Sequence, residues 1–399
     1  MTLHLDMYQT LASGTATLLL GFVLNRKMPF LRRLCIPAPV SGGLVVSAIF
    51  LILHCLCDFE MDFDWTLKDL CMVIFFTTVG FQSDLSVLKR GGRPLVIMVM
   101  LVAVLIVLQN VAGVGIARLL GRSPLLGMSA GSITMCGGHG TAGGFSALLE
   151  SQGLAGAASI TMATATFGIL AGSLIGGPLA DFLIRRRGLM KIDHCTCEPS
   201  QTGETDESWN DNQSHLGYAK AACVIAIAAG LGTLLNKLLT LAGLTFPTYF
   251  GALITAVIIR NVSEAVPSCP EVPIREVTSI GIICLSLFLG MAMISIRLWE
   301  LADIALPLLV ILIAQVILMI LFSVLAAFPL LGRTYDAAVL VGGLCGFGLG
   351  ATPNAMANMS AICTKYHYTT MPFIVIPVIG AMFADIINIG IITLFLNLI

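Results

Sequence analysis

Ten mostly apolar runs, most of them near the ~20 residues that span a bilayer, recur along the chain. They lie at 7–24, 38–57, 67–88, 95–119, 155–184, 216–241, 246–259, 278–296, 304–331 and 371–398. In hydrocarbon every backbone N–H and C=O must be satisfied inside the segment, so runs of this kind read as membrane-crossing helices. The seventh is short and opens at Phe246-Pro247, which leaves its start open. Composition agrees, since charged residues make up only 11% of the chain and mean hydropathy is +0.96. Soluble domains carry about 25% charged residues. A net charge of −1 without a basic patch excludes a nucleic-acid partner.

The N-terminus lacks a basic stretch and a small-residue cleavage pattern, so its first run reads as a retained span, not a signal peptide. The twelve cysteines lie mostly in apolar runs, where a thiol behaves as a small hydrophobe. His194-Cys195-Thr196-Cys197 has no second ligand pair at a standard spacing and does not read as a metal site.

The only long polar segment is 185–215, rich in Gly, Ser, Asn, Asp and Glu, which reads as a flexible cytoplasmic linker. It divides the chain into a five-span half over 1–184 and another over 216–399. Basic residues follow spans one (Arg26, Lys27, Arg32, Arg33), three (Lys89, Arg90, Arg93) and five (Arg185, Arg186, Arg187, Lys191). The loop after span two carries Asp58, Glu60, Asp62 and Asp64. By the positive-inside rule both termini face outside. Arg118 and Arg122 break that rule by falling outside.

The halves repeat. Leu119-Leu-Gly-Arg-Ser123 returns 211 positions later as Leu330-Leu-Gly-Arg-Thr334, and in the same register Gly131, Gly137 and Thr141 match Gly342, Gly348 and Thr352. Halves with an odd number of spans joined on one side of the membrane are inverted relative to each other. The duplicated arginine therefore falls on opposite sides, which accounts for the exception at Arg122.

Both halves carry a glycine-dense stretch: Gly131-Ser-Ile-Thr-Met-Cys-Gly-Gly-His-Gly-Thr-Ala-Gly-Gly144, and Gly342-Gly-Leu-Cys-Gly-Phe-Gly-Leu-Gly-Ala-Thr-Pro-Asn-Ala355. Each interior glycine weakens a helix by about 1 kcal/mol relative to alanine. Broken backbone at membrane depth is tolerated only inside protein or along a wet cavity. The flanking pieces, about 124–149 and 336–362, read as re-entrant hairpins whose tips meet near mid-membrane. The chain is thus predicted to be an all-α polytopic membrane protein of two inverted five-helix repeats with two re-entrant hairpins.

A helix that restarts in the membrane offers free N–H groups suited to a carboxylate, and one that ends offers carbonyls suited to Na⁺. Candidate substrate-binding residues are Gly138, His139, Gly140 and Thr141 at the first tip, with Gly350, Thr352, Asn354 and Asn358 at the second. His139 can bond a substrate carboxylate or satisfy broken backbone. Asn354 and Asn358 stand at i, i+4, and an amide offers both donor and acceptor to a zwitterion. Asp385, deep in the last span, is costly there without a counter-charge, and no Lys or Arg lies deep in a span. A cation is its natural partner, with Thr134, Thr352 and Asn388 as further Na⁺ ligands. Asp181, beside Arg185–Arg187, reads as an interfacial charge, and Gln109-Asn110 in span four as either cavity-lining or helix-bonding. Gly127-Met-Ser129-Ala-Gly131 matches a hydrolase elbow only formally, with no strand before it and no acid between Ser129 and His139. Tyr335-Asp336 with Gly348-Leu-Gly350 lacks the second acid of an intramembrane aspartyl protease, so an enzyme is not expected.

Ile36-Pro-Ala-Pro-Val-Ser-Gly-Gly43, Ala130–Thr134 with Gly137–Thr141, Cys345–Pro353 and Gly380-Ala-Met-Phe383 resemble the bacterial sodium/glutamate symporters over nearly the whole chain. The resemblance implies a secondary carrier that imports L-glutamate, with Na⁺ as coupling ion and no other cofactor. It further implies a homodimer in the inner membrane, outside termini, and elevator-like motion of transport domains against a scaffold. Its alternatives are a Na⁺-coupled carrier of another organic anion, such as a dicarboxylate or hydroxycarboxylate, and a channel.

Overall fold

The computed structural model describes residues 2–28, 36–57, 60–83, 92–189, 211–241, 246–266, 271–294, 296–297 and 304–398. Arg32, Arg33, Lys89, Arg90, Lys191, Asp58 and the His194–Cys197 stretch lie outside them.

In chain order the elements are β1 (Thr2–Leu5), α1 (Met7–Lys27), α2 (Ala38–Cys57), β2 (Glu60–Phe63) and α3 (Thr66–Phe81). Next come α4 (Gly92–Leu119), α5 (Pro124–Ser129), α6 (Ser132–Met135), α7 (Gly138–Ser151) and α8 (Ala157–Arg187). The second half holds α9 (Asp211–Leu241), α10 (Phe250–Ala265), α11 (Ile274–Ile294), α12 (Ala305–Leu330), α13 (Tyr335–Gly348) and α14 (Thr352–Lys365). The chain closes with α15 (Met371–Val378) and α16 (Ala384–Leu398). Helix α8 continues through the first residues of the segment read as a linker, and α9 covers its last ones.

Among the described residues seven helices are long and apolar enough to cross a membrane, where ten were expected. The other three have definite reasons. Helices α3 and α10 are 16 residues long, just short of a full span. The tenth run is one path interrupted by a π-helical turn at Ile379–Phe383, shortly after Pro377, whose missing N–H opens the helical ladder. Helix α12 contains a similar turn at Ser323–Ala327 before Pro329. The chain also departs from a purely helical fold, because β1 and β2 form a short parallel pair. His4 Nδ1 meets Asp62 Oδ2 at 2.9 Å across it. The Thr66 hydroxyl and N–H both donate to Asp64, which holds its carboxyl below the usual carboxylate range. This pair puts the N-terminal strand and the acidic loop on one face.

The duplicated Leu-Leu-Gly-Arg motif proves to be a stop-and-restart device. Helix α4 ends at Gly121 (φ 67°), where the Arg122 N–H returns to the Ala117 carbonyl at 2.9 Å. The Ser123 hydroxyl then caps α5 through the Leu125 N–H at 3.3 Å. At the equivalent place α12 ends at Gly332 (φ 95°), Arg333 returns to Phe328 at 3.2 Å, and Thr334 caps α13 through Ala337 at 3.2 Å. A second pair recurs in the same register. Asn25 Nδ2 donates to the Ile36 carbonyl and Asn236 Nδ2 to the Pro247 carbonyl, each at 3.0 Å, ahead of α2 and α10.

Packing sorts the helices into two groups. Helices α1, α2, α3, α9, α10 and α11 pack chiefly on one another, and so do α4–α8 with α12–α16. Close approach within the first group uses small residues, as membrane helices without a hydrophobic drive require. A Cβ on Gly42 would run into the Thr17 carbonyl, and one on Gly251 into the Gly232 carbonyl. The groups touch through α7 on α11 and the 379–383 turn on α3.

Candidate functional site

The glycine stretches become two helix–break–helix segments. The first breaks at 130–131 and again at 136–137, so α5, α6 and α7 follow in short steps; the second breaks at 349–351, between α13 and α14. Their tips meet. Gly138 sits at φ 57°, a left-handed conformation open to glycine, and a Cβ there would lie 2.9 Å from the Gly350 carbonyl oxygen.

The broken backbone ends are held by adjacent residues of α4. Gln109 Nε2 donates to the Gly348 carbonyl at 2.7 Å, satisfying the last residue of α13. Asn110 Oδ1 accepts from the Ser132 N–H at 2.9 Å, satisfying the first residue of α6. A helix end leaves such groups orphaned, and here two neighbouring amides supply a donor to one break and an acceptor to the other. Gly131 has to be small, because a Cβ there would lie 2.7 Å from Asn110 Oδ1. Gln315 Nε2 in turn donates to the Gln109 carbonyl at 2.8 Å. Sequence reasoning left the Gln109-Asn110 pair between lining and packing and missed this clamp. Two amides side by side in an apolar span were the available signal.

The remaining candidates fall around the tips in different roles. His139 is buried on α7, and its Nε2 lies 3.0 Å from the Thr166 hydroxyl of α8. Thr166 already donates to the Met162 carbonyl at 2.8 Å, so the imidazole is the donor and Nδ1 remains an acceptor. Ser129 donates to Leu126 and does not face His139 as an elbow serine would. Asn354 and Asn358 turn their Nδ2 groups to α8, donating to Ile169 and Gly172 at 2.9 Å each. The Thr134 hydroxyl closes the first break by donating to Ser129 at 2.8 Å. Thr141 Oγ1 is buried and has no hydrogen-bond partner among the described residues. The Thr352 hydroxyl packs against Gly380, inside the π turn of the last span. Gly140 faces the Phe75 ring of α3.

That last span brings Asp385 to the first tip. Asn388, one turn beyond it, donates through Nδ2 to the Ser132 carbonyl at 3.1 Å. Cys136 and Tyr249 both lie within electrostatic reach of the Asp385 carboxylate. Among the described residues no ion pair or hydrogen bond engages that carboxylate. Asp385 is half-buried, whereas Asn388 Oδ1, Ser132 Oγ and the Tyr249 hydroxyl are buried and also lack partners among the described residues. Tyr249 is stacked on Phe76 (centroids 3.9 Å apart) and set against Gly144, at the seam between the two helix groups. Asp181 is held elsewhere, on Lys365 at 2.6 Å, Arg185 at 3.0 Å and the Tyr366 hydroxyl, tying α8 to the end of α14. Asp181 thus belongs to a charged cluster that includes its sequence neighbour Arg185.

The family model described as "Sodium/glutamate symporter" matches residues 3–368. A curated sodium/glutamate symporter of Escherichia coli is 40% identical over 403 aligned positions, covering 99% of this chain and 98% of that protein. The chain belongs to the sodium/glutamate symporter family. One from Haemophilus influenzae is 35% identical over 390 positions, covering 97% and 96%. The family match contains both glycine segments, and Asp385 and Asn388 lie beyond its end. Members carry the name of a carrier, not of an enzyme.

Proposed function

We propose that this protein is a sodium-coupled symporter that imports L-glutamate across the bacterial cytoplasmic membrane. One observation carries the reading at the level of the site: the two helix breaks meet at Gly138 and Gly350, clamped by Gln109 and Asn110 and flanked by the unpaired Asp385. The first-turn N–H groups of Gly138, His139 and Gly140, with that of Thr352, suit the substrate carboxylates. Thr141, with its unpartnered hydroxyl, lies one turn further on, and Gly350 gives the backbone room to approach a ligand. Asn354 and Asn358 commit their donors to α8 and hold the second tip in place, leaving carbonyl oxygens for the ammonium.

Sodium, the coupling ion, would be held by oxygens. Asp385 supplies the charge, Asn388 Oδ1 and Ser132 Oγ are unpartnered, and Thr134 and Thr352 bring hydroxyls from either hairpin. An all-oxygen set of this kind suits a hard cation. Sodium closes the charge balance of the tip, and so favours the anionic substrate, by reciprocal linkage.

The hairpins are re-entrant and the halves are inverted repeats over 1–184 and 216–399, joined by the cytoplasmic linker 185–215, with both termini outside. The stop-and-restart motif and the Asn25 and Asn236 bonds, repeated 211 residues apart, support the duplication. The group holding α4–α8 and α12–α16 carries the site and moves, elevator-like, against the group of α1–α3 and α9–α11, whose lipid-facing side pairs two protomers in a homodimer. Uptake of labelled glutamate into proteoliposomes tests the function. Accumulation above equilibrium is expected under an inward Na⁺ gradient, and undiminished uptake without Na⁺ across pH 6–8 would overturn it.

A further inference from the structure

A cavity of about 410 Å³ lies at the seam of the two helix groups, away from the tips, within the ~300–1,000 Å³ of small-molecule sites. From the first group come Lys68 and Asp69, in the opening turn of α3, and Arg297, just after α11. From the second come Glu150, near the end of α7, and Ser159, near the start of α8. Helix α3 follows β2, which pairs with the N-terminal strand, so the cavity opens on the same face as the N-terminus.

Lys68 is the unusual member. Its side chain is only 14% exposed, yet among the described residues no carboxylate hydrogen-bonds its ammonium. Asp69 stands 3.9 Å away, at the limit of an ion pair, and is itself more than half exposed. Glu150 acts on Lys68 only at electrostatic range. The Trp65 ring, 4.4 Å from the ammonium to its centroid, provides a cation–π face. One oxygen of Glu150 accepts the Ala158 N–H at 3.3 Å, and the other remains open to a donor. The Arg297 N–H donates to Ser159 Oγ at 2.8 Å, fixing that residue against α8. A cation withdrawn from water without a hydrogen-bonded counter-ion is costly, and an anion from solution relieves it.

We propose that this cavity is a second binding site, an outer vestibule that captures acidic amino acids before they reach the tips, with Lys68 and Arg297 taking the two carboxylates and Glu150 the ammonium. The proposal rests on the carrier reading only for its ligand and for which side is outside. Lys68 and Arg297 face Glu150 across the seam, with Asp69 beside Lys68 more than half exposed, an arrangement that offers cations to the carboxylates and a carboxylate to the ammonium of an acidic zwitterion. Capture at such a site raises the local substrate concentration and leaves the chemistry of the sodium site untouched.

Initial rates of labelled L-glutamate uptake into proteoliposomes, at saturating Na⁺ and varied glutamate, test it with wild type, Lys68→Gln, Lys68→Arg, and Lys68→Glu combined with Glu150→Lys. The expected result for Lys68→Gln is a KM raised roughly three- to tenfold, with Vmax and the Na⁺ half-saturation unchanged, as for the loss of a steering charge. The gap should narrow as ionic strength rises, and Lys68→Arg should restore KM. An unchanged KM in Lys68→Gln would overturn the vestibule. So would a fall in Vmax that the charge-swapped double variant restores, since Lys68 and Glu150 would then be a latch between the helix groups. If wild type itself fails to concentrate glutamate with sodium, the carrier reading fails instead, so the two failures are separable.

Discussion

Replacing Gly138 by alanine perturbs the tip contact with the smallest possible change. The residue sits at φ 57°, and a left-handed conformation costs a residue with a Cβ about 1–2 kcal/mol. The added methyl would also lie 2.9 Å from the Gly350 carbonyl oxygen, closer than real Cβ contacts come, so one tip must retreat from the other. The conformational term alone reduces the population of the closed tip roughly 5- to 30-fold, since 1.4 kcal/mol is a factor of ten. Gly230→Ala is the matched control. Gly230 lies in helix α9, with nothing within 4 Å of the position its Cβ would take. The assay is initial-rate uptake, normalised to protein recovered in the membrane. Gly138→Ala is expected to insert normally, with an apparent glutamate affinity lowered by about the factor above, while Gly230→Ala behaves as wild type. A Gly138→Ala protein with wild-type affinity and rate would refute the claim that the two tips form the binding site.

Asp385→Asn keeps the shape of the last span and removes its one deep charge; it should raise the Na⁺ concentration needed for half-maximal uptake or abolish uptake, at normal expression. An unchanged sodium dependence would move the cation to backbone carbonyls alone. Gln109→Leu strips the donor from the Gly348 carbonyl. Expected are a slower uptake and a stability loss near the ~0.6 kcal/mol typical of membrane hydrogen bonds, rising toward ~1.7 kcal/mol if the carbonyl stays dry, read by thermal unfolding in detergent. Asn25→Ala and Asn236→Ala should each lower thermal stability by at least ~0.6 kcal/mol, because each removes the same bond in its own half, and Asn25→Ala by the larger amount, since Asn25 Oδ1 also accepts from the Ser41 hydroxyl at 2.6 Å. A loss confined to one of the two would argue against equivalent roles.

The membrane class and the breaks at the two glycine stretches were legible because they depend on long apolar runs and on glycine, whose signals survive without tertiary context. The Leu-Leu-Gly-Arg motif was visible as a repeat, yet its meaning lay in the Gly121 and Gly332 dihedrals and the Ser123 and Thr334 caps. Helix α3 stops at Phe81 where the apolar run was read on to 88, because a hydropathy window does not see where hydrogen bonding stops, whereas the seventh run, read as short with an open start, forms α10 from Phe250 to Ala265. The β1–β2 pair could not be read, since it joins segments about sixty residues apart through four residues each. At the site, the chemistry of Asn354 and Asn358 was legible and their direction was not. An amide side chain announces a polar partner, and only the packing of α14 against α8 decides that the partner of each Nδ2 is the Ile169 or Gly172 carbonyl. Gln109 and Asn110 show the same limit from the other side, since sequence neighbours serve breaks more than 200 residues apart.

The central claim is that sodium and glutamate occupy one site where the two tips meet beside Asp385. The dissociation constant for glutamate, measured on purified protein as a function of Na⁺ concentration, tests it most directly. A shared site requires reciprocal linkage, so the constant should fall steadily as Na⁺ rises in wild type and lose that dependence in Asp385→Asn. A glutamate affinity identical in zero and saturating Na⁺ would contradict it.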